Sequence, residues 1–240
     1  MKLEFIRNFL FLIYFFSNVL NAAFYQDING ASIGPIQDID GNPHPYSGSD
    51  LAPNIILPSI NLSEADIFEA DLQGSDFNLS ILSDAILQES NLNASNFRGV
   101  DFWNINLLLS ISANADFNQA DFSQGELSFS DFSLSNLSGA DFWYATMWYT
   151  NFSGANLSGA ELWFADLWFA DLSNADLSNI DFWNTDLSNA NFQGADLSGS
   201  YLDFALNWSL ANFTNATYDK DTLFPTCLLY TSDAADERNS

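Results

Sequence analysis

Basic residues, cysteine and histidine are all scarce in this chain of 240 residues. Lysine and arginine together number 5 against 31 acidic residues, so the formal net charge is −26. Direct binding of nucleic acid needs clustered cations against the phosphates, and we therefore expect no direct nucleic-acid ligand. A single cysteine and a single histidine leave no disulfide framework and no zinc site. Hydrophobic residues make up 48% of the chain, which excludes a wholly disordered acidic polymer.

What the chain has in abundance is a repeat of five residues. Residues 140–202 read ADFWY, ATMWY, TNFSG, ANLSG, AELWF, ADLWF and onward, with a small residue, an acid or amide, and an apolar residue recurring in each unit. An α-helix would scatter these apolar residues around its axis, and a straight strand would alternate them between two faces. A period of five keeps one face inside only if the chain turns a corner in every repeat.

This run resembles the pentapeptide repeat family, whose signature is A(D/N)LXX. The resemblance implies an all-β solenoid, a right-handed quadrilateral parallel β-helix with four pentapeptides per coil. Repeat centres from Leu62 to Asn207 then predict about seven to eight coils. The resemblance also implies that the centre and the small residue two positions before it point inward. Residues twenty apart would stack, which predicts two inward ring ladders: Phe102, Phe122 and Phe142, and Phe77, Phe97 and Phe117.

The first segment has the pattern of an export signal. In residues 1–23, Lys2 and Arg7 precede a short apolar run, and small residues follow. We predict a secretory signal peptide. Leu20 stands where the cleavage site prefers a small residue, so an uncleaved N-terminal anchor is the alternative.

The rest of the chain divides by composition. Residues 24–58 are rich in Gly, Pro and Asp and are predicted to form an N-terminal segment or cap. Residues 59–225 carry the pentapeptide-repeat β-helix. Residues 226–240 are interpreted as a non-native tail, because residues 227–237 resemble translated sequencing-adapter sequence.

Two details of residues 24–58 suggest chemistry. Asp38, Asp40 and Asn42 place oxygen ligands at alternate positions, as a calcium loop would. No downstream Glu completes an EF-hand, and we interpret the stretch as a solvated turn. His44 lies between two prolines and is expected on the surface.

Two irregularities interrupt the repeat. Ser112 stands at an apolar centre, which predicts a distorted coil or a small bulge. After Leu202 the motif comes one residue late, which predicts a slip of register.

Aromatic residues provide the first candidate site. All seven tryptophans follow a repeat centre directly, and their spacing of twenty, or forty, supports four-sidedness independently of the family. Stacked coil on coil, they predict one contiguous aromatic patch across a corner, which usually marks an interaction site. The alternative is that the rings only shield backbone or cover one another as a ladder. The predicted binding surface comprises Trp143, Tyr144, Trp148, Tyr149, Trp163, Phe164, Trp168, Phe169 and Trp183.

Carboxylates provide the second candidate. The position before each centre gives an acidic column of Asp101, Asp121, Asp141, Glu161 and Asp181, and a second column with Asp166 and Asp186. Stacked like charges repel, which predicts raised carboxyl pKa values or bound cations. A solvated acidic face is the alternative. No pair stands apart as a catalytic dyad, so we predict no enzyme, no catalytic residue, no metal and no cofactor.

These features predict a non-enzymatic interaction scaffold, secreted or held in the cell envelope, periplasmic or extracellular. Its partner would be another protein, a second copy in a homodimer, or a glycan stacked on tryptophan, with no transmembrane span beyond the signal segment. One alternative is a DNA mimic that interacts with DNA gyrase, as some members of the family do. The export signal argues against mimicry, because gyrase is cytoplasmic. The other alternative is a structural spacer without a ligand.

Overall fold

The computed structural model describes residues 23–225. The predicted signal peptide, apart from Ala23, and the predicted tail therefore lie outside the described residues.

The body of the chain is a right-handed quadrilateral β-helix, and the predicted fold is confirmed. From Ile56 onward, parallel bridges join residues that are twenty positions apart. The bridge positions stack on four faces at about 4.8 Å per coil. Face 1 contains Ile56, Asp76, Asn96, Asp116, Asn136, Asn156, Asp176, Asp196 and Thr217; face 2 contains Asn61, Ile81, Asp101, Asp121, Asp141, Glu161, Asp181, Tyr201 and Leu223; face 3 contains Asp66, Ile86, Asn106, Glu126, Thr146, Asp166, Asp186 and Leu206; face 4 contains Asp71, Asn91, Ile111, Asp131, Asn151, Asp171, Asn191 and Asn212.

Each corner between faces is a tight turn that the repeat specifies. Asp141 Oδ1 accepts the backbone N–H of Trp143 at 2.8 Å. Ala145 then donates its N–H to the Phe142 carbonyl at 2.9 Å. Between them Tyr144 adopts the left-handed conformation, with φ 56°. The acid or amide of the motif is thus explained locally, because its side chain caps the turn that follows it.

The interior is filled by the repeat centres and the small residues beside them. Phe77, Phe97 and Phe117 stack with successive ring centroids 5.5 and 5.4 Å apart. The ladder of Phe102, Phe122 and Phe142 has successive distances of 5.1 and 5.1 Å. Both predicted ladders are confirmed.

Most inward Ser and Thr residues are accommodated by hydrogen bonds to the coil below. Ser95 Oγ, for example, donates to the Leu72 carbonyl at 2.6 Å. Ser112 is an exception, since its buried Oγ has no hydrogen-bond partner. The predicted bulge at Ser112 is wrong: Ile111 bridges both Asn91 and Asp131, and the Ser112 N–H donates to the Asp131 carbonyl at 2.7 Å. The ladder is made by backbone groups, so a small centre leaves its register unchanged.

An N-terminal segment covers the lower edge of the solenoid. Strand β1 (Tyr25–Gln26) pairs antiparallel with β2 (Ser32–Ile33), and β3 (Gln37–Asp38) pairs antiparallel with β4 (Ala65–Asp66) of the first coil. Gln26 accepts the N–H of Asp71 at 2.7 Å. The edges of faces 3 and 4 are therefore paired where they would otherwise be open.

Within this segment His44 is buried, so the expectation of a surface residue is wrong. Its Nδ1 accepts the N–H of Tyr46 at 3.0 Å, and its Nε2 lies 2.9 Å from the Ser63 carbonyl. With Nδ1 accepting from a backbone N–H, Nε2 donates to Ser63, and the neutral ring ties the segment to the first coil.

The side chain of Asp38 caps a turn of the same segment. Asp38 Oδ1 accepts the N–H groups of Asn42 and Asp40 at 2.7 and 3.1 Å. These bonds, with that of Asn42 the largest contribution, lower the pKa of Asp38.

At the upper end the register changes as predicted. A 3₁₀ helix, Trp208–Leu210, is inserted after face 3. The bridge spacing becomes twenty-one at Asn191 and Asn212, and the predicted slip is confirmed.

Candidate functional site

The tryptophans lie at the two corners on either side of face 3. Trp143, Trp163 and Trp183 follow the bridge positions of face 2, so they occupy the corner between faces 2 and 3. Trp148 and Trp168 follow face 3, so they occupy the corner between faces 3 and 4. These five indoles are 37–43% exposed. The structure therefore brings all five to one side of the tube.

Aromatic residues also occupy the left-handed positions of the same two corners. Tyr144 and Phe164 lie at the first corner, and Phe129, Tyr149 and Phe169 at the second, all with φ between 55° and 60°. A bulky residue in this region is strained, whereas Gly and Asn tolerate it. The two corners beside face 1 contain no aromatic residue at this position. Over the same coils those corners carry Gly139, Gly159, Asn179 and Gly199, and Leu134, Gly154, Asn174 and Gly194.

The rings form a stacked column at each corner. At the first, Tyr144 and Phe164 stack with centroids 4.7 Å apart, and Phe164 meets Trp183 edge-on at 4.9 Å. At the second, Phe129, Tyr149 and Phe169 stack with successive distances of 5.1 and 5.1 Å. We call these the first and second aromatic columns.

The two columns are separate within residues 23–225, where no ring contact joins them. The expectation of one patch across a single corner therefore needs correction. The chain makes one corner every five residues, so rings at adjacent corners are separated by the width of a face.

Face 3 lies between the columns and presents a polar strip of Glu126, Thr146, Asp166 and Asp186. Burial raises the pKa of Asp186, but hydrogen bonds from Asn207 and Ser188 outweigh it, and the net pKa is lowered. Asn207 Nδ2 donates to both carboxylate oxygens of Asp186, at 3.0 and 3.1 Å. The expected rise from like-charge stacking is therefore reversed at this residue.

The acidic column of Asp101, Asp121, Asp141, Glu161 and Asp181 occupies face 2 in five successive coils. On faces 1 and 4 an asparagine often separates stacked acids, as where Asn136 donates to Asp116 at 2.9 Å and Asn151 donates to Asp131 at 2.9 Å. No side chain of residues 23–225 donates to the five acids of face 2. Each aspartate among them accepts only the N–H of its own turn.

Two tryptophans lie apart from the columns. Trp103 is at the first corner but two coils below Trp143. Trp208 was expected forty residues above Trp168, yet it lies in the 3₁₀ helix and packs against the core. The extra residue lies between Leu206 and Asn212, where the 3₁₀ helix replaces the regular turn.

The repeat itself decides the family. Pentapeptide repeats match the chain in 8 copies, over residues 54–84, 82–107, 113–139, 135–167 and 169–203. The chain belongs to the pentapeptide repeat family. Pentapeptide repeat proteins are generally non-enzymatic structural or interaction proteins, and no enzyme family matches this one. No curated protein matches it significantly.

Solved pentapeptide repeat structures resemble the chain. HetL from the cyanobacterium Nostoc sp. strain PCC 7120, involved in heterocyst differentiation regulation, is 28% identical over 71% of this chain and 85% of its own, with a TM-score of 0.33. A thylakoid-lumen protein from Arabidopsis thaliana is 33% identical over 43% and 70%, with a TM-score of 0.36. QnrB1, a plasmid-mediated fluoroquinolone resistance protein, is 21% identical over 70% and 83%, with a TM-score of 0.34. At these TM-scores the likenesses say nothing about the function of this chain.

The chemistry available to this pentapeptide repeat protein comes from the outward-facing side chains of its coils. Across the described part of the chain there is no cluster of His, Cys, Asp and Glu that could hold a metal ion. Within residues 23–225 no helix has the length and apolar character needed to cross a bilayer. The same residues contain two ion pairs, Arg98 with Asp116 and Lys220 with Asp221. Most carboxylates therefore have no cationic partner there.

Two features of the site were missed at the level of sequence. One is the left-handed backbone of the five aromatic residues, and the other is the face between the columns. Residues whose numbers differ by a multiple of twenty lie on the same face or at the same corner. By this rule Trp143 and Trp148 lie at different corners, on opposite sides of Thr146, and the sequence therefore indicates two columns.

Proposed function

We propose that this pentapeptide repeat protein is a non-enzymatic interaction scaffold whose partner docks against the side of the tube formed by face 3 and the two aromatic columns. One observation carries the proposal. In the middle coils, aromatic residues occupy left-handed turn positions only beside face 3, while Gly or Asn occupies most of them beside face 1. Backbone strain is typical of a functional surface when it persists at positions where Gly or Asn would adopt the same conformation with little strain.

The composition of the columns supports the proposal. Trp and Tyr dominate the energetics of binding interfaces, because they bury large rigid surfaces and retain one polar group. The opposite side of the tube, around face 1, presents serine hydroxyls such as Ser138, Ser158 and Ser178 at the positions where tryptophans lie beside face 3. The molecule thus has one aromatic and one polar long side.

The test replaces Trp143, Trp163 and Trp168 together with serine, the residue that the same turn position carries beside face 1. The fold is expected to remain, and oligomeric state or binding to a protein, peptide or glycan ligand is expected to change. Ser158→Ala with Ser178→Ala is the matched control on the opposite side. Size-exclusion chromatography with light scattering, together with binding assays on the isolated chain, gives the readout. Unchanged behaviour of the triple variant would remove the basis for this function.

We further propose that the protein acts outside the cytoplasm, in the periplasm or beyond. The support is the sequence of residues 1–23 alone. Ala23 belongs to the buried core, and its carbonyl accepts the N–H of Ile36 at 2.9 Å. A cut after residue 22 would preserve both contacts. Mass spectrometry of the fractionated protein should then find a chain that begins at Ala23, whereas an intact chain in the cytoplasm would contradict export.

The second candidate function is mimicry of DNA, and the column of face 2 favours it. Five carboxylates in successive coils form a line of negative charge to which no side chain of residues 23–225 donates a hydrogen bond. Replacing Asp121, Asp141 and Asp181 with Asn keeps the turn acceptors and removes three charges. If purified DNA gyrase is inhibited by the unmodified chain and less by this variant, mimicry holds.

A further inference from the structure

The geometry of the aromatic columns restricts the kind of partner they can take. The rings of Tyr144 and Phe164 are 1° from parallel, and those of Tyr149 and Phe169 are 8° from parallel. Stacked rings cover one another's faces and leave their edges toward solvent. A sugar that stacks on an aromatic side chain needs an open ring face, and stacking covers such faces on Tyr144, Tyr149 and Phe164. The tryptophans meet their neighbours edge-on, and the rings together offer apolar surface against which protein side chains can pack.

The strip between the columns adds a charge requirement. Glu126, Asp166 and Asp186 have no ion pair within residues 23–225. Asp166 Oδ1 accepts only the Trp168 N–H, at 3.1 Å. The Asp166 side chain is half-buried and accepts no other hydrogen bond within residues 23–225, so a cation would meet little competition there. At Asp186 a cation would share the carboxylate with Asn207 and the Ser188 N–H.

We propose, resting on the function proposed above, that the docking partner is a protein segment with basic residues between apolar ones, lying along face 3. Its apolar side chains pack against the two aromatic columns, and its Lys or Arg side chains meet Asp166 and Asp186. The two carboxylates lie in successive coils, about 4.8 Å apart, which is within the reach of two long Lys or Arg side chains of one segment. Complementary charge then fixes its register, and the aromatic columns supply most of the affinity.

A second copy of the same chain does not satisfy this requirement. A symmetric contact would bring Asp166 and Asp186 against the same acids of the other copy. The two cations of residues 23–225 that form ion pairs, Arg98 and Lys220, do so with Asp116 and Asp221, away from face 3. The occupant is therefore a different protein, and a homodimer through face 3 is an outcome that the experiment would expose.

The experiment measures binding of a fluorescein-labelled peptide of alternating lysine and leucine by anisotropy, with an alternating glutamate and leucine peptide beside it. The variant Asp166→Asn with Asp186→Asn removes both charges but keeps the turn acceptors, as Asn156 does in accepting the Ser158 N–H at 3.0 Å. The matched control is Asp176→Asn with Asp196→Asn on face 1, which removes the same charge from the opposite side.

The lysine peptide is expected to bind with at least tenfold higher affinity than the glutamate peptide. Loss of the two face 3 charges should weaken its binding about tenfold, as expected for two partly desolvated charge pairs. The face 1 variant should change the affinity for the lysine peptide less than about twofold, because Asp176 and Asp196 lie across the tube from face 3 and salt screens their charges.

Two results would overturn this inference. Equal weakening by the face 1 and face 3 variants would mean that net charge alone attracts the peptide. Unchanged binding in the face 3 variant, with binding lost in the tryptophan triple variant, would reject the basic partner while leaving the proposed scaffold function intact. If neither variant differs from the unmodified chain, both proposals fail. Dimers that persist at high salt and dissociate in the tryptophan variant would instead assign face 3 to self-association.

Discussion

Tyr144 and Phe164 stack with ring centroids 4.7 Å apart although both have left-handed backbone, with φ 56° and 60°. Such a stack contributes about 0.5–1.5 kcal/mol beyond burial. The left-handed conformation costs about 1–2 kcal/mol for each of the two residues. The stacking contribution alone is therefore smaller than the strain of the two residues.

Leu79→Asn should stabilise the fold by about 1 kcal/mol, because Leu79 has φ 57° and a largely exposed side chain, and asparagine tolerates that conformation. Asn179→Leu, at the same corner position five coils higher, should cost a similar amount. Urea unfolding followed by circular dichroism measures both. Shifts of the same sign in the two variants would contradict the argument from backbone strain.

Ser112→Ala should raise the free energy of unfolding by about 1 kcal/mol, since it removes a buried hydroxyl that has no partner. Ser95→Ala is the matched control at another inward position. Its hydroxyl donates to Leu72 and accepts from Ser75, so its loss should lower stability by about 1–2 kcal/mol. Chemical denaturation should show that the free energy of unfolding rises in Ser112→Ala and falls in Ser95→Ala. A loss of stability in both variants would contradict the role assigned to the unpaired hydroxyl of Ser112.

The stability contributed by Asp186 should disappear in acid. The pKa of Asp186 in the folded chain is lowered from its ordinary 3.8, so its carboxylate stabilises the fold above that value. This contribution is lost as the pH falls through the folded pKa. Asp186→Asn should therefore melt at a lower temperature than the unmodified chain at pH 7, and this difference should shrink as the pH falls through the folded pKa. A difference in melting temperature that stays constant across this range would show that ionisation of Asp186 is not involved.

Leu167→Asp should destabilise the surrounding coils by about 3 kcal/mol or more, because it places an unpaired charge in the core. Thr146→Asp is the control, since Thr146 lies at a bridge position of face 3 where the neighbouring coils already carry acids. Hydrogen exchange should reveal early opening around Leu167 in the first variant only. Equal protection in both variants would mean that position 167 does not face the interior.

The repeat made the scaffold predictable, because its requirements are local. Asp141 caps its own turn, Phe142 fills its own side of the tube, and spacings of twenty between tryptophans indicate four sides. Features that depend on a residue's surroundings were not predictable in this way. The burial of His44 depends on Ser63, nineteen positions away, and the regular coil at Ser112 depends on backbone groups that the side-chain pattern does not report.

The candidate surface was only partly predictable for the same reason. The spacing of twenty predicted that rings beside face 3 stack coil on coil, as Tyr144 does with Phe164 and Tyr149 with Phe169. Their division into two columns depends on which corner each turn makes. The lowered pKa of Asp186 depends on Asn207, whose position follows from the inserted 3₁₀ helix. The predicted binding function of these residues stays a prediction until the variants are measured.

The paired lower edge has a consequence for how the chain folds. Each coil above it hydrogen-bonds only to the coils directly below and above, so the contacts that define the tube join residues about twenty positions apart. Strands β1 and β3 close over the first coil before any later repeat is required. A chain that becomes free to fold from its N-terminus can therefore add one finished coil at a time, with each new coil templated by the last and a single growing edge exposed to other chains.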